Sequence, residues 1–318
     1  MYQQTQLTSS IIMVRPHDFG FNEQTGFDNE YQHKPASEVE YLSIKSKALA
    51  EFESMVELLD KSGVEVLVLD KPEQSSTLPD AIFPNNWFST RADGSLFIYP
   101  MKTPNRRAEV QIKNLKILLK QHNYYPEKII DLRFGKTGEF NPAMEGTGSL
   151  IFHHPSANLF AALSERCNGK SLNLFARTYG YNVLPFESKS RECSSIYHSN
   201  VLMSCGEKFA VMTEEVLVKN SQAFNAMEKL TNLVKDVIII TEQQMAENFC
   251  GNILQLEDKK QQPVIVLSDS AYKGFTRSQI VTLEQHGTLI VCSIPTIEYV
   301  GGGSARCMLA ENFLVKRT

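Results

Sequence analysis

The chain has no apolar run long enough to cross a membrane as a helix, no CxxC or HxxxH spacing, no block of five like charges and no Pro/Gly/Ser-rich linker. The first absence, with a polar Met1–Ser10 start that lacks the basic-then-apolar order of a signal peptide, predicts a cytoplasmic protein without a membrane partner. The second argues against a structural metal, and six cysteines without paired spacing fit reduced thiols better than a disulfide framework. The third, with a formal net charge of -4 and a pI near 6.0, leaves no general attraction to nucleic acid, so basic groups with a role must act locally. The last leaves 318 residues, 42% hydrophobic and 21% charged, to be read as one domain over residues 11–318 behind a polar segment, residues 1–10.

What is present alternates. Apolar residues recur at helical spacing from Ser37 to Lys61, with Ser37 and Glu40 spaced as a capping box and Gly63 just beyond the end. Strand patterns are predicted at Val64–Leu69, Ala81–Ser89, Leu96–Tyr99, Ser149–Phe152, Val183–Phe186, Val201–Met203, Phe209–Met212, Val237–Ile240, Asn252–Leu256, Val264–Leu267 and Leu289–Ser293. Helical patterns lie between them at Arg106–Lys120, Ser171–Tyr179, Glu214–Leu233, Thr241–Asn248 and Arg277–His286. The fold class is therefore mixed α/β, a helix-plus-strands unit repeating about five times, which suggests radial repetition around one central site.

The stretch richest in chemistry is Gly301-Gly302-Gly303-Ser304-Ala305-Arg306-Cys307, because a cysteine after a glycine turn can be approached closely by a substrate. Cys167, Cys193, Cys205, Cys250 and Cys292 have no such surroundings and read as small buried hydrophobes. A nucleophilic thiol needs a proton shuttle, for which His198 in Tyr197-His198-Ser199-Asn200 is the upstream candidate. Glu145 in Glu145-Gly146-Thr147-Gly148 is the carboxylate best placed to orient that imidazole. Taken singly, Cys307, His198 and Glu145 could each be an ordinary core or strand-edge residue; the set is what suggests catalysis.

Six ordered segments then resemble the guanidino-group-modifying, or amidinotransferase, superfamily: Leu78–Trp87, Arg106–Val110, Glu145–Gly148, Leu163–Arg166, His198 and the Gly301–Cys307 loop. Their order is similar to the dimethylarginine dimethylaminohydrolase branch, and Phe83-Pro84-Asn85-Asn86-Trp87 resembles most the bacterial citrulline-utilisation hydrolases. The resemblance implies a five-bladed α/β propeller (pentein fold) of pseudo-fivefold ββαβ units. It implies Cys307 as nucleophile, His198 as general acid/base and Glu145 as its carboxylate, with Asp80 against the substrate and no cofactor or metal. It further implies that Arg107 and Arg166 clamp an α-carboxylate, a task suited to the planar guanidinium fork. The alternative for Arg107 is a first-turn residue on a solvated helix face, which is the reading for Arg106.

Where arginine-acting relatives carry acids beside the guanidinium, this chain has Asn85 and Asn86, and Asn200 stands where another branch has aspartate. Leaving a buried guanidinium without carboxylates costs on the order of 3–5 kcal/mol, whereas asparagine amides match the donors and acceptor of a neutral ureido group. The expected activity is hydrolysis of citrulline to ornithine, carbon dioxide and ammonia. The alternatives are an arginine deiminase or dimethylargininase-type hydrolase, which Asp80 and Glu145 keep open, and a noncatalytic propeller similar to eukaryotic initiation factor 6. The expected partner is a small amino-acid substrate, and a homo-oligomer stays open.

Overall fold

The computed structural model describes residues 4–35, 37–70 and 77–317. Fifteen strands form five three-stranded sheets of one pattern: a central strand, an antiparallel neighbour on one side and a parallel neighbour on the other. Four sheets are contiguous in sequence, centred on Ser95–Ile98, Asn158–Ala162, Phe209–Thr213 and Pro263–Ser268. In the remaining sheet Ser10–Val14 pairs in parallel with Glu65–Leu69 and antiparallel with Ala310–Glu311, so the two ends of the chain share one sheet. Parallel neighbours cannot be joined by a tight turn, and each is reached through a helix: Glu38–Lys61, Ile112–Gln121, Gly169–Tyr179, Ser221–Leu233 and Arg277–Glu284.

The helices start where side chains satisfy their free N–H groups. Ser37 accepts from the Glu40 amide, Asn168 from Lys170 and Ser171, and Asn220 from Ala223, while Thr276 and Gln279 close a full capping box. The Asn220 cap explains why the predicted Glu214–Leu233 helix begins only at Ser221. The predicted Arg106–Lys120 helix is two pieces, Pro104–Arg107 and Ile112–Gln121, because buried Glu109 is drawn to Arg106 across the break.

Two predicted strands are largely turns. Within Ala81–Ser89, Pro84–Asn86 is a 3-10 turn with proline at its start, and the strand is only Phe88–Thr90. Ser199–Leu202 is one helical turn, and the strand predicted at Val201–Met203 runs instead over Met203–Cys205. Ile82, Phe83, Trp87, Val201 and Leu202 are buried all the same, so the apolar run reported burial correctly and conformation wrongly. Such a turn precedes the inner strand in several units, and the residue three positions before the strand is Asn85, Gly148, Asn200 and Cys307 in turn. The repeat thus delivers equivalent positions of successive units to the chemistry described below.

Residues 4–10 of the polar N-terminal segment are packed into the body, and residues 1–3 lie outside the described residues. The Gln6 amide donates to the carbonyls of Phe152 and Cys205 at 3.0 and 3.1 Å and accepts from the His154 N–H at 2.8 Å, tying two sheets together. On the opposite side of the first sheet, Phe52 of the long helix is fully buried among Ile44, Met55 and Leu59. Phe52→Ala should lower the unfolding free energy by about 3–5 kcal/mol through the cavity it leaves. Urea unfolding should show this as a lowered midpoint with unchanged slope, and a loss below about 1 kcal/mol would mean that the site collapses to fill it.

Candidate active site

Glu145 and His198 each sit immediately before a helical turn, Gly146–Ser149 and Ser199–Leu202. Both side chains are buried, and Glu145 Oε2 meets His198 Nε2 at 2.7 Å. The second carboxylate oxygen accepts the Lys102 backbone N–H at 2.9 Å, and Arg166 Nη1 stands 3.8 Å from Oε2. Burial alone would raise the Glu145 carboxyl, but the His198 hydrogen bond and the charges of Arg166 and Arg106 hold it at about 2. An ionised carboxylate only accepts, so Nε2 must carry a proton. Burial lowers the imidazole below its ordinary 6.5 despite Glu145, so His198 is neutral near pH 7 and its Nδ1 is left as the basic atom. That edge faces Gly148, where a Cβ would lie 2.9 Å from Nδ1 and 2.3 Å from Asn86 Oδ1. Gly146 has φ +41 and a Cβ there would fall 2.3 Å from the Asn85 carbonyl, so both glycines are demanded by close approach.

Cys307 lies on the 3-10 turn Ala305–Met308 and is 4% exposed. Its sulfur accepts from the amides of Asn200 at 3.3 Å and Asn252 at 3.2 Å. The glycine loop before it is tied down on several sides: Gln32 donates to the Gly301 carbonyl, Tyr197 to that of Gly302, and Ser304 to Glu298 at 2.6 Å. Burial pushes Cys167, Cys205, Cys250 and Cys292 up to about 12, so these four stay protonated thiols near neutrality. Cys193 is exposed. Arg306, which adjoins Cys307 in sequence, turns away to Glu311 and the Leu309 carbonyl and supplies the sulfur no free charge.

Among the residues assigned to the substrate, Asp80 is 2% exposed and receives hydrogen bonds from the neutral groups of Asn22 and Thr25 at 2.7 Å and Gln32 at 3.5 Å. Asn85 is fully buried with neither amide atom partnered, and the side-chain oxygens of Asn86 and Asn200 are also unpartnered. Of the two neighbouring arginines, Arg106 departs from its expected place. Arg106, expected on a solvated face, is buried against Glu109 at 2.8 Å and donates to the Phe83 carbonyl. Arg107 is exposed, lies over the Phe140 ring at 4.1 Å and donates to the carbonyls of Met101 and Lys102. Arg166 is buried beside Glu145, over the Tyr197 ring, and ion-paired with Asp28.

Asn252, read only as the start of a strand, and the loop of residues 18–34 were not expected at the site, although both reach this region. Asn252 could have been suspected, since Gly251-Asn252-Ile253-Leu254 echoes Ser199-Asn200-Val201-Leu202 as a small residue, asparagine and two apolar residues entering a strand. A separate cavity of about 700 Å³, lined by Tyr31, Arg191, Glu242, Phe249 and Tyr299 among others, contains none of the candidate catalytic residues.

The family described as N,N dimethylarginine dimethylhydrolase, eukaryotic, matches residues 15–314, and the chain belongs to that family of carbon–nitrogen hydrolases within the amidinotransferase superfamily. No curated protein matches it significantly. Among solved structures it is similar to a mutant N-terminal domain of ArgZ bound to substrate, an arginine dihydrolase from the ornithine-ammonia cycle in Cyanobacteria, with 15% identity, TM-score 0.71, and coverage of 96% of this chain and 99% of that one. A mutant of AgrE in complex with L-arginine shares 14% identity at TM-score 0.67, covering 97% of this chain but only 41% of that longer one. A mutant dimethylarginine dimethylaminohydrolase, seen as its adduct with S-methyl-L-thiocitrulline, shares 14% identity at TM-score 0.64 over 96% of this chain and 99% of that one. At these identities the likeness concerns the α/β fold, whose five small sheets fit pseudo-fivefold units.

The depressed Glu145 carboxyl makes a pH prediction. Its folded value near 2 lies below the ordinary 4.5, so its contribution to stability is complete above 4.5 and is lost as pH falls toward 2. His198, lowered from 6.5, acts in the same direction, because the unfolded chain takes up that proton first as pH falls below 6.5. Urea midpoints measured from pH 7 downward should fall in the wild type and fall less steeply below about pH 5 in Glu145→Gln. Equal slopes would show that the carboxylate is not held ionised by its neighbours.

Proposed function

We propose that this chain is a cysteine-dependent hydrolase of the ureido or guanidino carbon of an arginine-like amino acid, and that its substrate is citrulline. The observation that carries the choice is a charge balance. Glu145 faces His198 and Arg166, Glu109 faces Arg106, and Asp28 faces Arg166 and Lys102, whereas Asp80 makes no ion pair among the described residues and is bonded only by neutral groups. Of the buried carboxylates that border Arg106, Arg166 and His198, Asp80 is the one without an ion pair, and it matches one substrate cation. The other buried carboxylate without an ion pair among the described residues, Glu298 on the helix before the glycine loop, is bonded by Ser304 and pushed up to about 7 by burial. Citrulline carries one, its α-ammonium; arginine carries two. The unpartnered amide atoms of Asn85, Asn86 and Asn200 suit the mixed donors and acceptor of a ureido group.

In this reading Asp80 takes the α-ammonium and Arg166 and Arg107 take the α-carboxylate. The Cys307 sulfur adds to the ureido carbon while its proton passes to His198 Nδ1, and the Asn200 and Asn252 amides support the negative sulfur. The tetrahedral intermediate collapses as His198 returns that proton to the departing ammonia, leaving a thiocarbamate. Water then adds with His198 as base, the carbon–sulfur bond breaks, and the released carbamate of ornithine loses carbon dioxide. Glu145 keeps the imidazole in the tautomer this cycle needs. The step calls on no metal or organic cofactor. We further read residues 11–318 as one closed five-bladed propeller domain, a cytoplasmic enzyme of small molecules with no nucleic-acid or membrane partner.

A second reading, hydrolysis of arginine or a methylarginine to citrulline, is favoured by the family match and would use Asp80 for the guanidinium. Transfer to a noncatalytic role is disfavoured by the 2.7 Å Glu145–His198 bond, a costly arrangement of buried charge that binding alone would not require.

Citrulline, arginine and dimethylarginine offered separately should give ornithine and ammonia from citrulline alone at appreciable rates. Cys307→Ser should abolish turnover with the fold intact, and retained turnover would end the covalent mechanism. Replacing Asn85→Glu and Asn86→Asp together should shift the ratio of kcat/KM values toward arginine by at least roughly tenfold, about 1.4 kcal/mol of differential transition-state binding. A wild type that prefers arginine would overturn the substrate assignment.

A further inference from the structure

The loop of residues 18–34 lies against the site, with Asn22, Thr25 and Gln32 bonding Asp80 from it. At its outer turn Phe27 is 94% exposed, yet the next residue, Asp28, points inward. Its carboxylate faces both Nε and Nη2 of Arg166 and takes Lys102 Nζ at 2.6 Å, beside a cavity of about 320 Å³ lined in part by Gly26, Phe27, Glu165 and Tyr197. This is the two-pronged contact that a substrate carboxylate would make with the same guanidinium. Arg166 is 2% exposed and Glu145 is already committed to His198, so an empty fork would leave a buried cation poorly paired. Asp28 is 18% exposed on its side chain and keeps Lys102 and water if it leaves, so the exchange is cheap on its side.

Resting on the α-amino-acid reading above, we infer that Asp28 is a positioning and specificity-determining residue. It fills the carboxylate fork of Arg166 in the free enzyme and gives it up only to a ligand that brings its own α-carboxylate, so that such ligands alone unlatch the loop of residues 18–34. Ligands of the same length without that group cannot replace Asp28 without stranding Arg166. The enzyme thereby discriminates against decarboxylated amines by a resident competitor as well as by lost contacts.

The test uses the full chain carrying Cys307→Ser, so that binding is read without turnover. Calorimetry compares citrulline and arginine with their decarboxylated counterparts, 4-ureidobutylamine and agmatine. A latch closed about nine times in ten lowers apparent affinity about tenfold, so adding Asp28→Asn should tighten the binding of whichever amino acid binds by roughly that factor and leave the amines unchanged. Unchanged or weaker amino-acid binding would overturn the latch and make Asp28 a mere support for Arg166. Phe27→Trp gives a readout that does not disturb the pair, since the chain's single tryptophan, Trp87, is buried. Its emission should shift with the amino acid and not with the amine, and a shift with both or neither counts against the inference. If neither amino acid binds the Cys307→Ser protein, the substrate reading itself falls and the latch with it.

Discussion

A single buried carboxylate organises this site. Glu145 is 1% exposed, and an anion so placed is tolerated only when donors replace the water it has lost. Its partners come from three parts of the chain: the imidazole of His198, the backbone N–H of Lys102 and the guanidinium of Arg166. Each is fixed by that demand, and each carries a function onward. His198 is locked with Nε2 protonated. Lys102 holds the segment that bears Arg107, and Arg166 reaches from Glu145 to the loop of residues 18–34. Orientation of the imidazole, placement of Arg166 and attachment of the loop therefore all bear on one desolvated charge.

Crowding is the complementary constraint. The entry turns before the inner strands approach one another so closely that side chains at several of their positions are small or absent, and most of the polar groups that do fit are short amides, hydroxyls and a thiol. Asparagine is short enough for such a position and carries both a donor and an acceptor, which explains its recurrence at positions 85, 86, 200 and 252. The amide atoms of Asn85 are fully buried and unpartnered among the described residues, a demand that water or another polar group would meet.

Much of this was legible in the residues, and the failures have causes. Helices with strong periodicity and a cap, such as Ser37–Lys61, were readable because both signals are local. Strands Ser10–Val14 and Asn158–Ala162 were missed although both are wholly buried, since each offers only four continuous apolar residues without alternation after a polar first residue. The entry turns were read as strands because burial makes an apolar run whatever its backbone does. Glu145, His198 and Cys307 were singled out through roles that chemistry requires together; the fold hydrogen-bonds Glu145 to His198 and holds the Cys307 sulfur on the Asn200 and Asn252 amides. Arg106 was misplaced on a solvated face because adjacent arginines look alike until Glu109, three residues on, claims one of them. Asp28 left no mark, since a lone aspartate in a loop gains meaning only from the guanidinium that the fold brings to it.

The shared first sheet has a consequence for how the enzyme comes into being. Synthesis proceeds from the N-terminus, so Ser10–Val14 leaves the ribosome some three hundred residues before its antiparallel partner Ala310–Glu311. Cys307 lies on the turn that leads into that partner strand. The other four sheets and the Glu145–His198 pair draw on no residue beyond Cys292, so under the proposed mechanism the sulfur that does the chemistry is synthesised after the neighbours those units supply.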